Sequence, residues 1–342
     1  MRRTRENFLI TEYLLFTAVT IAVFCLCVCA GSVRIPLADT FRIVKAALLG
    51  QPQESGSMVS ILLTVRIPRV LCVALTGAAL SLAGASMQGL LKNPLADGST
   101  LGVSSGASLG AVIAIVFGIT FPSLPFAGTM VMAVLFAFGS LLLILGLAYR
   151  LDGSLSTNTI ILVGVIFSMF VSSVLNVIIT FSSEKIRSIT FWTMGSLQGS
   201  TMTNAAVLAS ALLFGCIVLL SLARELNAFA VGEENAGNIG VDLRRTKLIV
   251  LVTVSVVIGV CVSIGGTIAF VGLVTPHMVR LIVGPNHKKL LPASLFGGAV
   301  FLMLSDLAAR VLLNPIELPI GVVTSIVGSV VFVIIFYRAR RR

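Results

Sequence analysis

Hydrophobic residues run along the chain in ten stretches, at about 8–30, 67–91, 101–119, 128–149, 158–180, 205–222, 248–265, 268–283, 292–313 and 318–337. An α-helix rises ~1.5 Å per residue, so about 20 apolar residues cross the ~30 Å hydrocarbon core of a bilayer. Most of the stretches reach that length, while 101–119 and 268–283 are short and rich in glycine. The pattern predicts an all-α, polytopic membrane protein with about ten transmembrane helices, in a single domain over residues 1–342. An even number of crossings puts both termini on one side. Three stretches lie outside the spans: an external loop at 31–60, a short surface helix from Ile186 to Leu197, and the polar stretch 223–247.

Composition agrees with the pattern. Hydrophobic residues make up 57% of the 342 and charged residues 11%, against about 25% charged in soluble domains. A water-soluble domain, a nucleic-acid binder and a disordered chain are excluded. The net charge of +11 reports orientation, because Lys and Arg concentrate on cytoplasmic segments. With the N-terminus inside, sixteen of the 24 Lys and Arg residues fall on cytoplasmic segments and eight outside, so both termini are expected in the cytoplasm. Met1-Arg2-Arg3-Thr4-Arg5 before an apolar run has the outline of a signal peptide. The run exceeds the 7–15 residues, roughly, of such a segment, and it reads as a retained first span.

Little catalytic chemistry is available. The six cysteines, among them Cys25, Cys27 and Cys29, all sit in apolar runs without a CxxC pair, and they read as small apolar fillers. The two histidines, His277 and His287, are too few for a typical metal or redox centre. No phosphate-cradling G-x-x-x-x-G-K-[ST] loop occurs. Asp306 is the one acid well inside a span, and two readings stay open for it. It could hold a coupling ion, or it could pair with Arg310 one turn along the same helix. Gly102, Gly106 and Gly110 recur at a spacing that lets helices approach closely in lipid, which serves either packing within the chain or the wall of a solute path. A weak repeat at an offset of 182 residues pairs Gly77 with Gly259, Gly84 with Gly266 and Pro94 with Pro276. An inverted repeat of that kind is common in transporters.

The motifs are more specific. Residues 66–110 contain Arg66-Ile-Pro-Arg69, Gly77-Ala-Ala-Leu-Ser-Leu-Ala-Gly84, Gln88-Gly89, Asn93-Pro94-Leu95-Ala96-Asp97 and Leu101-Gly-Val-Ser-Ser-Gly106. The last third contains Gly265-Gly-Thr-Ile-Ala-Phe-Val-Gly-Leu-Val-Thr-Pro-His277, Ser305-Asp306-Leu-Ala-Ala-Arg310 and Glu317-Leu-Pro-Ile-Gly-Val-Val-Thr324. From about residue 31 to 337 the chain closely resembles the FecCD-type permeases of bacterial ABC importers for iron–siderophores, haem and cobalamin. The resemblance implies a type II ABC importer permease fold in the bacterial cytoplasmic membrane. It also implies a second permease subunit across the solute path, two ATP-binding subunits below, and a substrate-binding protein outside. ATP and Mg would then belong to the partner ATPase, with no cofactor bound by this chain.

The resemblance assigns roles that the residues leave open. Arg66 and Arg69 share one face of a helix end at the outer boundary, and Arg310 ends another span on that side. They either snorkel to headgroups or, as the family implies, pair with glutamates of the docked binding protein. Gly232 and Gly240 supply breaks for a helix–turn–helix. Glu233, Glu234 and Ala236 between them form either a well-capped surface helix or the helix that plugs into the ATPase. Here the chain departs from the family, with Val231 in place of a common Leu and Ala236-Gly237 in place of a common Ala-Arg. Asn93 and Leu95 follow a span ended by Pro94, and Thr157 and Asn158 begin one behind the N-cap Ser156. In similar permeases these positions form the inner gate. Phe191 and Trp192 read as interfacial anchors or as lining of the outer vestibule. A ferric siderophore is the expected solute, with haem or cobalamin as alternatives. An ion-coupled secondary carrier and a membrane-embedded enzyme are the competing classes.

Overall fold

A computed structural model describes residues 9–31, 36–49, 56–98, 101–120, 127–153 and 155–340. They form fifteen α-helices and no strand. In order these are α1 Ile10–Cys29, α2 Leu37–Leu48, α3 Ser57–Ser60, α4 Ile67–Leu91, α5 Val103–Phe117, α6 Ala127–Leu151, α7 Thr157–Phe181, α8 Ile186–Thr193, α9 Met202–Ser221, α10 Ala223–Val231, α11 Glu233–Asn238, α12 Leu243–Gly265, α13 Val271–Val283, α14 His287–Val311 and α15 Ile320–Arg340. A π-turn, Ile61–Arg66, joins α3 to α4.

Each of the ten apolar stretches falls on a helix. Among the described residues seven helices are long and apolar enough to cross a bilayer, counting Met58–Leu91 as one, and three apolar helices are shorter. At ~1.5 Å per residue α5 and α13 are roughly 20 Å long, less than a hydrocarbon core. The stretch 31–60 carries a helix that the hydropathy pattern passed over. In α2, Thr40 and Ile43 are buried while Phe41 stands 72% exposed, so the segment lies amphipathically on the bundle.

The bundle is built around α4. Every residue of α4 from Thr76 to Leu91 is buried, and α4 packs against α14, α9, α13 and α12. Glycine makes two of these crossings possible. Gly77 lies against the Gly298 carbonyl of α14 and Gly84 against the Gly272 backbone of α13. Close backbone approach of this kind drives helix association where lipid removes the hydrophobic incentive. On α5, Gly106 and Gly110 face Ser140, Phe136 and Met132 of α6, so packing within the chain accounts for that spacing. The outer helices differ. α1 buries only Cys27 and Val28, and α7 leaves Met169, Phe170 and Phe181 largely exposed.

At the 182-residue offset some paired residues differ in their surroundings. Gly84 sits mid-helix in α4, whereas Gly266 follows the end of α12 with φ +68°. Pro94 lies in a turn, whereas Pro276 is inside α13. Gly77 and Gly259, by contrast, both lie mid-helix, in α4 and α12, so the offset matches environments at some positions and not at others.

The glycine contacts are testable by contrast. Gly84→Ala drives a methyl group into the Gly272 carbonyl and is expected to cost about 1–3 kcal/mol. Gly139→Ala, in α6 with open space around the new methyl, is expected to be neutral or slightly stabilising. Thermal unfolding of the two purified variants in detergent measures the difference.

Candidate functional site

At one end of the bundle the C-terminus of α1, the start of α4 and the C-terminus of α14 converge on a charged cluster. Arg66 and Arg69 begin three residues apart, but their side chains part company. Arg66 donates from Nη1 to the Val28 and Cys29 carbonyls at 3.1 and 3.2 Å. Arg69 donates from Nε and Nη2 to Asp306 Oδ1 at 3.0 and 2.9 Å, and from Nη1 to Glu317 Oε2 at 2.7 Å. Arg310 reaches Asp306 Oδ2 at 2.9 Å, the expected i,i+4 pair. It also donates to the Cys27 and Ala30 carbonyls at 3.0 and 3.1 Å.

The three arginines are 6%, 8% and 4% exposed and Asp306 1%. Their guanidinium groups therefore face the protein and not lipid headgroups. The cause is electrostatic. α1 has no basic residue in its last turn, and its terminal carbonyls carry the negative end of the helix dipole. Arg66 and Arg310 satisfy four of those carbonyls. Gly31 is small enough to sit beside both, since a Cβ there would stand 3.0 Å from Arg66 and 3.2 Å from Arg310. Three guanidiniums against two carboxylates leave one positive charge in excess. Glu317, which the sequence placed at a span end, is the partner that spacing alone could not assign.

The opposite end carries the second constellation. The predicted helix–turn–helix is present as α10 and α11, with Gly232 at φ +147° between them and Gly240 at φ +90° after them. Ala236 is the buried residue of α11, and Glu234 is exposed. Val231 and Ile239 are 71% and 72% exposed, an apolar tip of which the sequence reading singled out only Val231. Glu233 turns inward, where it accepts from Thr157 Oγ1 at 2.7 Å and from Lys247 Nζ at 2.7 Å. Lys247 is 2% exposed and also donates to the Leu155 carbonyl at 3.0 Å. Its position at the head of an apolar run was the available signal. On the other flank Asn227 of α10 accepts from the His287 backbone N–H at 2.8 Å, contacts the His287 ring Nδ1 at 2.9 Å, and donates to Asn286 Oδ1 at 2.9 Å.

Both sets of predicted gate residues lie at this end. α4 stops at Leu91, Lys92 takes φ +49°, and Asn93 Oδ1 accepts from the Leu95 N–H at 2.9 Å. Leu95 is half exposed. The Lys92 ammonium lies beside Gly232, so this turn touches the α10–α11 junction. Ser156 caps α7 through the Thr159 N–H, as its residue type suggests, with Thr157 and the exposed Asn158 in the first turn. Between α4, α5 and α12 a half-open cavity of about 210 Å³ is lined by Ser104, Ser105, Ser108 and Ile258, with Asp97 at its edge. On α8, Phe191 is half exposed and Arg187 lies over its ring. Among the described residues no group of three His, Cys, Asp or Glu side chains is arranged to hold a metal ion.

Comparison with known proteins agrees with this architecture. The model of the FecCD transport family matches residues 19–338. A cobalamin import system permease from Halobacterium salinarum is 38% identical over 83% of this chain and 74% of its own length. A hemin transport system permease from Yersinia pestis is 36% identical over 86% and 88%. A solved structure described as an inward-facing conformation of a proposed metal-chelate type ABC transporter superposes with a TM-score of 0.84 at 29% identity. It covers 96% of this chain and 99% of its own.

The charged cluster predicts a sharp contrast in stability. Asp306→Asn leaves Arg69 and Arg310 buried without their shared anion, and its expected cost is about 3–5 kcal/mol. Arg42→Ala breaks an exposed pair with Asp39 and is expected to cost under about 1 kcal/mol. Unfolding midpoints in detergent check both.

Proposed function

The chain belongs to the FecCD transport family, and from that premise we propose that it is the membrane-spanning permease subunit of an ATP-driven importer of a ferric siderophore in a bacterial cytoplasmic membrane. At the coarser level it is the permease subunit of a type II ABC importer for a metal chelate, haem or cobalamin. The family match over nearly the whole chain carries this reading. The siderophore stands as the proposal within that class, and haem and cobalamin are its alternatives.

Both termini lie in the cytoplasm in this reading, which puts the arginine cluster outside and the α10–α11 element inside. The excess positive charge of the cluster is what a carboxylate on the substrate-binding protein would meet, with Arg66, Arg69 and Arg310 as its donors. Docking there competes with Asp306, Glu317 and the α1 carbonyls for the same guanidiniums. At the inner end the tip formed by Val231, Gly232, Glu234, Ile239 and Gly240 enters the ATPase subunit, with the buried Ala236 packed behind it. Glu233 anchors that tip from behind. Asn93, Leu95, Thr157 and Asn158 close the path against a second permease subunit, a second copy or a close paralogue. ATP and Mg are held by the ATPase, and this chain performs no hydrolysis.

One observation weighs against an ion-coupled carrier. Both carboxylate oxygens of Asp306 face guanidinium groups, Oδ1 toward Arg69 and Oδ2 toward Arg310, which leaves this acid no role in holding a coupling ion.

The test is ATP hydrolysis in liposomes, with this chain co-purified with its ATPase and supplied with loaded binding protein. Stimulation by the loaded binding protein is expected, with at least a tenfold loss in Arg66→Glu, roughly the effect of reversing one interfacial charge. Val231→Asp combined with Ile239→Asp is expected to reduce the co-purified ATPase by about tenfold, because it charges an apolar contact. Uptake that follows a proton or sodium gradient without ATP would instead favour a secondary carrier.

A further inference from the structure

A residue assigned to ATPase coupling and a residue assigned to the inner gate are joined by one hydrogen bond. We propose that Lys247, Glu233 and Thr157 form a polar strut that carries displacement of α11 to the α6–α7 turn, with Lys247 as its positioning residue. The inference rests on the permease reading above and specifies how the inner gate is driven.

Three observations carry it. The first is the lack of any strong apolar hold on α11. The helix has six residues and buries only Ala236, so packing does little to fix it to the transmembrane body. Its firm attachment is charged. Glu233 gives one oxygen to Lys247 on α12 and the other to Thr157 on α7, both at 2.7 Å. Charge-assisted hydrogen bonds of this length are strong and directional.

The second is the burial of Lys247. A lysine only 2% exposed persists where its ammonium is fully committed, because an unpaired buried charge is costly. Its two recorded acceptors are Glu233 and the Leu155 carbonyl. One ammonium thereby grips both the moving element and the turn that leads into the gate.

The third is the state of that turn. Leu155 has φ +53° and a side chain 2% exposed. A branched, non-glycine residue in the left-handed region is strained, and such strain persists only where the surroundings hold it. Here Lys247 holds the Leu155 carbonyl, and the Asp152 carbonyl accepts from the Leu155 N–H at 3.0 Å. Pulling Glu233 away draws on the same ammonium that keeps the turn strained. Thr157 and Asn158 follow directly, so relaxation of Leu155 would re-aim the start of α7.

The experiment uses the complex of this chain with its ATPase, with the six native cysteines replaced by alanine and Asn158→Cys as a reporter. Labelling by a membrane-impermeant maleimide is compared between the nucleotide-free and the vanadate-trapped states. The strut predicts that the reporter's labelling rate differs at least about threefold between the two states, and that Thr157→Ser, which keeps the hydroxyl, preserves this difference. Thr157→Val, isosteric without the donor, and Lys247→Met are expected to reduce it to under about 1.5-fold, in proportion to the lost hydrogen bond or ion pair. A difference as large in Thr157→Val as in Thr157→Ser overturns the strut while leaving the permease reading intact. Because Thr157→Val is conservative, this comparison decides even if Lys247→Met folds poorly. A parent complex that binds ATPase but shows no nucleotide-dependent difference likewise overturns the strut, whereas a parent that binds no ATPase overturns the permease reading itself.

Discussion

Asp306, 1% exposed, stands between two guanidiniums where three helix ends meet, and much of the architecture follows from what that carboxylate requires. A lone charge in a low-dielectric interior is expensive, so Asp306 needs both Arg69 of α4 and Arg310 of α14. Those two arginines fix the crossing of α4 and α14 at one end. Arg310 then has donors to spare, and with Arg66 it covers the carbonyls at the end of α1, which would otherwise lie unpaired in an apolar surrounding. The weakly packed first helix is thus held at its C-terminal end by charge more than by side-chain burial. Further along, Gly77 against Gly298 and Gly84 against Gly272 hold α4 to α14 and α13 at backbone distance. Ionic closure at the end and glycine contact along the length make this the stiff part of the molecule.

The other end is built on different terms. α10 buries Leu226 and Phe229 and is tied to α14 through Asn227, His287 and Asn286. α11 has almost no core of its own. Its attachment depends on one carboxylate, one ammonium and one hydroxyl, and the turn it touches contains a strained leucine. Apolar packing degrades gradually as surfaces slide, whereas a short charge-assisted bond is either made or lost. α11 is held by the second kind of contact.

The sequence made the helices legible because the bilayer imposes a length and a composition on each of them. The apolar helices, seven of them long enough to span among the described residues, rest on local chemistry, as do the N-cap at Ser156, the helix end before Pro94 and the break at Gly232. α2 was missed because Asp39, Thr40, Arg42 and Lys45 interrupt a helix of only twelve residues. The site partners were missed for another reason. That Arg69 pairs with Glu317, 248 residues away, or Glu233 with Thr157, 76 residues away, depends on which helix ends the fold brings together. Hydropathy carries no such information. The Asp306–Arg310 pair was foreseeable because both members sit on one helix.

Stiffness at one end and a polar latch at the other decide where a displacement can be expressed. α4 runs without interruption from the arginine cluster to Lys92, whose ammonium lies beside Gly232. A push applied at the α10–α11 junction meets α4 at its far end from the cluster, where the chain leaves the helix through a left-handed residue into the Asn93–Leu95 turn. The same junction grips the Leu155–Thr157 segment through Glu233. Separating α4 from α14 at the cluster would expose a buried carboxylate and two guanidiniums, whereas reorienting the two turns would break the single Lys247–Glu233 ion pair and the Thr157 hydrogen bond. One junction, Gly232–Glu233, therefore touches both candidate gate segments, through Lys92 and through Thr157.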